Sequence, residues 1–258
     1  MKKRIFIQNS CLLWLVLWYL VAVFIFIIKQ DISFDLSLNL LSPTLSHPFG
    51  FDAFGRDLLL VAGEASLISS FFAFSVVCFS FFIGITCGMS LAVMPGFLQI
   101  ILLRSLDFLL AFPSLLLSLA FAALWGPGWG TLIVSLLIGS LPGFIRFVYV
   151  RTRELLLEDY VKASVALGSN IFWILIRHVL PRVLSFCLVK LPNVFSHILL
   201  AEATLSFLGV GAPVGANTWG SLLLQGKDYL LEAPHVSIVS GLPLFFTVLS
   251  LQLLSEEK

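Results

Sequence analysis

"DYVKASVALGSNIFWILIRHVLP", residues 159–181, carries charges, a glycine and a closing proline between two apolar runs that are each long enough to cross a bilayer. The rest of the chain is far greasier. Of its 258 residues 59% are hydrophobic and 11% charged, with a mean hydropathy of +1.06, against roughly 25% charged in a soluble domain. Uninterrupted apolar segments of about 20 residues are helical spans of a hydrocarbon core about 30 Å thick. The composition is therefore that of an all-α integral membrane protein, and the quoted stretch is the piece that the membrane does not explain.

Six apolar runs flank it. The first, residues 11–28, is an uncharged stretch of eighteen after Met1, Lys2, Lys3 and Arg4. It lacks the short core and small-residue cleavage site of a signal peptide, and reads as a retained helix. Others lie at about 66–93, 98–124, 130–150 and 233–254. A sixth, about 183–207, is interrupted by Lys190, Asn193, His197 and Glu202. The chain thus divides into an N-terminal transmembrane helix (1–28), an outward segment (29–65) and a transmembrane domain (66–254) that includes the loop 151–182. It stops soon after its last run, at Glu256-Glu257-Lys258, with little basic tail.

Orientation follows from the cations. With the N-terminus inside, Lys2, Lys3, Arg4, Arg104, Arg146, Arg151, Arg153, Lys162, Arg177, Arg182, Lys190 and Lys258 fall at the cytoplasmic side, and Lys29, Arg56 and Lys227 outside. That imbalance is the one that fixes topology. Residues 29–65 and 208–232 then face outward, and 151–182 inward.

The inward segment reads as helix, sharp turn, helix. Leu156, Tyr160, Ala163 and Leu167 form an apolar stripe, and Glu154, Glu158 and Lys162 a wet one, which predicts one surface helix from Arg151 to Leu167 with a Glu158–Lys162 pair. Gly168 can end it in the left-handed conformation, Ser169 or Asn170 can cap the next helix, and Pro181 predicts its stop or kink. The apolar Ile171, Phe172 and Trp173 at the tip suit either a protein partner or a lipid surface.

This stretch resembles the cytoplasmic EAA loop of permease subunits in binding-protein-dependent ABC importers, with Lys162-Ala163-Ser164, Gly168 and Leu180-Pro181 at the patterned positions. "HPFGFDAFGRDLL" (47–59), "RSLDFLLAFPSLLLSLAFAALWGPG" (104–128), "LAEATLSFLGVG" (200–211), "TWGSLLLQGKDYLLEAP" (218–234) and "GLPLFFTVLSLQLL" (241–254) resemble, in order, the second permease subunit of dipeptide, oligopeptide and nickel importers. The resemblance implies a type I permease bundle of six helices in the bacterial inner membrane. It also implies a second permease as heterodimer partner, two P-loop ATPase subunits that carry the ATP and Mg, and a periplasmic solute-binding protein. Asp159, Tyr160, Lys162, Ala163, Ser164, Ala166, Leu167, Gly168, Ile171, Phe172, Leu180 and Pro181 would be the ATPase-coupling residues. Lys162 departs from the pattern's glutamate and Arg182 from a common asparagine. Peptide is the implied solute, with nickel or another small solute as the alternative.

The residues exclude several other chemistries. Gly226-Lys227 is followed by Asp228 and lacks the upstream glycine of a phosphate-binding loop, so this chain has no ATP site of that kind. No HExxH occurs, and His47, His178, His197 and His235 are dispersed, so no metal site and no catalytic group is expected. Cys11, Cys78, Cys87 and Cys187 read as buried small hydrophobes. The net charge of +1 offers no nucleic-acid face. A secondary transporter would need carboxylates deep in several helices, and the clear runs offer almost none.

Lys190, Asn193, His197 and Thr204 share one face of the sixth run. They either line a translocation path or serve as interhelical hydrogen-bond partners, Lys190 snorkelling to the interface. Glu202 points away from them without an assigned role. Arg104 and Asp107 are expected to pair with each other or snorkel. Asp52, Arg56 and Asp57 are expected to be exposed on an outer loop, which is either a linker or the docking mouth for the solute-binding protein.

Overall fold

A computed structural model describes residues 2–28 and 34–255, with side chains from 9 to 27 and from 34 onward. Assignments made for Met1, Lys29, Glu256, Glu257 and Lys258, and for the side chains of Lys2, Lys3 and Arg4, lie outside those residues. The described chain is helical: α1 (Lys2–Ile28), α2 (Leu58–Val93), α3 (Gly96–Leu110), α4 (Ser114–Trp125), α5 (Trp129–Leu156), α6 (Asp159–Ala166), α7 (Ile171–Ile174), α8 (Leu180–Phe207), α9 (Trp219–Lys227) and α10 (Pro234–Ser255). Five continuous stretches are long and apolar enough to cross a membrane: α1, α2, α5, α10 and the run Ile171–Phe207.

The expected third crossing is not one helix. It is α3 followed by α4, bent by 85° across Ala111–Pro113. Pro113 lacks an amide hydrogen and drives the preceding residue out of the helical region, so the apolar run breaks where it stands.

α2 and α5 form the axis of the bundle. They approach closely because Gly88 of α2 faces Val148 of α5, where a Cβ would stand 2.7 Å from the valine side chain. α1 joins α2 through Trp18, whose indole N–H donates to Ser66 Oγ at 2.9 Å. Two cores result. One, from Val61 and Leu132 to Leu199 and Trp219, fills the end holding α9; the other, from Ile85 and Val148 to Val161 and Val179, fills the end holding α6. The hydrophobic effect fixes both, at about 25 cal/mol per Å² of apolar surface covered. Of the cysteines, Cys187 is buried as expected, Cys11 and Cys78 are half-buried, and Cys87 is exposed.

Pro181 does not end its helix. Residues Leu175–Val179 form a π-helical turn, with the Leu180 N–H reaching back five residues to Leu175 O, and the chain continues into α8. The wider turn leaves room for the pyrrolidine ring where an α-helical carbonyl would collide with it.

Candidate functional site

The elbow begins with a break that the stripe pattern concealed. α5 runs six residues past the expected end of its crossing and stops at Leu156; Leu157 and Glu158 form a turn, and α6 starts at Asp159. The expected single helix from Arg151 to Leu167 is therefore two. The break resets the helical phase. Val161 becomes the buried anchor, 2% exposed, while Ala163 and Leu167 turn outward. Glu158 becomes the N-cap position and makes no pair with Lys162, whose ammonium instead meets Asp159 at 3.0 Å; Glu154 pairs with Arg151 at 2.7 Å.

The turn forms as its sequence requires. Gly168 has φ of +85°, its N–H donates to Val165 O at 2.9 Å, and the Ser169 N–H reaches Ser164 O at 3.1 Å. This paired closure needs a left-handed residue, which glycine adopts without steric cost. Asn170 is the cap: its Oδ1 accepts from the Phe172 N–H at 2.9 Å.

The root of the elbow is packed and its tip is not. Ile174, Leu175 and Val179 are buried with Val161 against Ile85, Met89 and Val148. Tyr160 lies between the Arg182 guanidinium, 4.7 Å from its ring centre, and the His178 ring, which in turn meets Trp173. Beyond this clamp Leu167 is 87% exposed and Phe172 67%, with Ile171 and Trp173 beside them. Asp159, Lys162, Ala163, Ser164, Ala166, Leu167, Gly168, Ile171 and Phe172 thus gather in the elbow with Tyr160 at its root. Leu180 and Pro181 stand apart from the tip, at the start of α8.

A groove of about 600 Å³ runs between α3, α4, α5 and α8. Lys190, Asn193, His197 and Thr204 all line it, as the spacing on one helix face requires. Among the described residues none of these four side chains donates to another helix; Thr204 bonds its own Leu200 O at 2.8 Å, and the Lys190 ammonium lies 4.2 Å above the Phe147 ring. The opposite wall escaped the sequence reading. It consists of Phe112, Pro113 and Ser114 at the α3–α4 bend and Gly139, Ser140, Pro142 and Gly143 of α5. Pro113 inside an apolar run and the small residues of "GSLPG" (139–143) were the available signals.

Asp107 pairs across helices with Arg146 at 3.8 Å rather than with Arg104 on its own helix, and Arg104 is exposed. Glu202 lies on the far face of α8, fully buried. Its Oε1 accepts from the Ser206 hydroxyl at 2.9 Å, and that hydroxyl accepts from the Ala212 N–H at 3.3 Å, which ties the chain beyond α8 back onto the helix.

At the other end of the bundle, most of residues 34–48 is exposed, but residues 50–57 fold down onto the helices. Asp52 and Arg56 are 2% and 5% exposed. Asp52 accepts from the amides of Phe54 and Arg56 at 2.8 and 2.9 Å and from the Arg56 guanidinium at 2.6 Å. Arg56 also donates to Asn217 Oδ1 at 3.0 Å and Gln225 Oε1 at 3.2 Å, and Asn217 donates to Glu64 at 2.7 Å. Asp57 is the N-cap of α2, accepting from the Leu59 N–H, and meets His47 Nδ1 at 2.6 Å. The expectation of three exposed charges fails because Asp52 and Arg56 close on each other and Asp57 on His47, while the outer partners of Arg56 lie more than 150 residues away, where no local pattern registers them. α9 is the second unforeseen piece of this cap, started by a capping box between Thr218 and Ser221. Asp35 caps the short turn Leu36–Leu38, and hydrogen bonds from the Ser37 hydroxyl and amide hold its carboxyl below the usual range.

Among the described residues no cluster of three His, Cys, Asp or Glu side chains is placed to hold a metal ion.

Residues 80–255 match the family model described as binding-protein-dependent transport system inner membrane component. A protein of Brucella suis biovar 1 named as a peptide transport system permease is 35% identical over 214 residues, 83% of this chain and 72% of that protein. The glutathione transport system permease protein GsiD is 34% identical in Pectobacterium atrosepticum and 33% in Escherichia coli O6:K15:H31, each alignment covering 83% of this chain and 71% of the relative.

Proposed function

The chain belongs to the family of binding-protein-dependent transport system inner membrane components and is a multi-pass permease subunit of an ABC importer, and on that premise we propose that it forms a pathway for peptide uptake together with a second permease. It is a transport component, not an enzyme. The relatives named for peptide and glutathione transport support a peptide solute.

The division of labour follows. A family that depends on a binding protein works with a partner permease, an ATPase and that receptor. Here two P-loop ATPase subunits hold the ATP and Mg, and the elbow seats in one of them. The N-terminus lies in the cytoplasm, supported by the clustering of cations at the elbow end, and the cap of residues 34–57 and α9 faces the solute-binding protein. Nucleotide-driven closure of the ATPases swings the elbow, and the bundle moves as a rigid body between inward- and outward-open states. Solute passes along the groove lined by Lys190, Asn193, His197 and Thr204.

The observation that carries this reading is the elbow itself, whose apolar tip stands in the open on a root buried in the bundle core. Exposed apolar surface on a stiff support is what a docking partner covers. Co-purification of the ATPase with the assembled complex tests it: Phe172→Asp should lower ATPase retention by roughly tenfold or more, as removal of an interface anchor does, with membrane insertion unchanged. Full retention would refute the assignment.

A further inference from the structure

The groove has a sign. Its lining includes one ammonium, Lys190, and one imidazole, His197, among hydroxyls, an amide and apolar groups, and contains no carboxylate. Lys190 makes no ion pair among the described residues. The neighbouring charges do not neutralise it. Arg151, which shares the Phe147 ring with Lys190, is paired with Glu154, and Arg146 with Asp107, so each of those pairs is balanced within itself.

An ammonium within a span is costly, and such a group ordinarily has a counter-charge. The face of the Phe147 ring, 4.2 Å from the ammonium, offsets part of that cost through its quadrupole. What the described lining leaves out is the anion. Resting on the importer reading above, we propose that the groove selects solutes by charge, favouring net negative peptides over net positive ones, with Lys190 as the residue that reads the charge.

The geometry also argues against a free divalent metal ion as solute. A single imidazole beside an ammonium offers one nitrogen ligand and a repulsive charge, with no carboxylate or thiolate in the described lining to offset the charge of a divalent ion.

The test uses the whole complex, both permeases, the ATPases and the receptor, in proteoliposomes, with the receptor saturated by one of two tripeptides, alanyl-glutamyl-alanine or alanyl-lysyl-alanine. Saturation removes the receptor's own preference from the comparison. The wild-type complex should import the acidic peptide on the order of tenfold faster, as expected for unit charges several ångström apart in a half-wet groove. Lys190→Glu should erase or invert that ratio, and Lys190→Arg should keep it. If Lys190→Glu fails to assemble, Lys190→Gln carries the test, with the ratio falling toward unity. Equal wild-type rates, or a ratio untouched by either charge-removing variant, would overturn the inference and leave the importer reading intact. Import of neither peptide by an assembled wild-type complex would instead overturn the peptide reading, and this inference with it.

Discussion

Two ion pairs, one at each end of the bundle, set its two working regions against each other. Asp52 and Arg56 meet with side chains 2% and 7% exposed, held by amides, Asn217 and Gln225; Lys162 and Asp159 meet in the open, 61% and fully exposed. The first is locked into a cap that ties α2 to α9 and cannot lose a member without stranding a charge. The second ornaments a short helix whose position depends on apolar packing at its root. The contrast teaches where specificity of shape resides: the cap is held by polar bonds over long sequence distances, the elbow by a hydrophobic anchor and one left-handed glycine.

The sharpest way to break this comparison is Asp52→Ala. It should destabilise the purified chain by about 3–5 kcal/mol, because Arg56 is left buried without its partner, and thermal unfolding in detergent should fall by roughly 10 °C. A midpoint within a degree of wild type would mean that water or lipid satisfies Arg56 and that the cap is not locked.

Gly168→Val comes next. No atom lies within 4 Å of a Cβ at this position, so the penalty is purely conformational, about 1–3 kcal/mol for a β-branched residue held at positive φ. Membrane insertion should survive and peptide uptake by the reconstituted complex should be lost, with Gly168→Asn recovering part of it. Normal uptake by the valine variant would remove the turn's geometry from the coupling account.

Lys162→Gln should do least. An exposed pair at i, i+3 contributes little once solvent screens it, so the unfolding midpoint should stay within about 1 °C. A clear change in ATPase retention at unchanged stability would show that the docking partner reads the charge at this position, where the EAA pattern has glutamate.

Much of this was legible in the sequence. Apolar runs of helix length located the spans, because a bilayer leaves no other use for them. Gly168 and Asn170 declared the elbow through local conformational chemistry, which acts on one residue at a time. The failures share a cause. Leu157 and Glu158 interrupt a stripe that stays apolar on one side and polar on the other, so periodicity alone runs straight through the break. Asp52 and Arg56 read as solvated because the side chains that receive Arg56 stand on α9 and just before it. Pro113 was visible but was averaged into an apolar window, and with it went the bend that builds one wall of the groove. The stripe of Lys190, Asn193, His197 and Thr204 was found; the surface it faces was not.

The π turn at Leu175–Val179 sets the azimuth of everything that follows it. Each residue of an α-helix advances the chain by about 100°, so the one extra residue accommodated there decides which way the whole of α8 is facing relative to the elbow. Had the helix been wound regularly from Ile171, Lys190 and His197 would look toward a different neighbour, and the fully enclosed Glu202 would be swung out of its niche. Five residues thereby keep the angular phase between the elbow and the groove-lining face of α8.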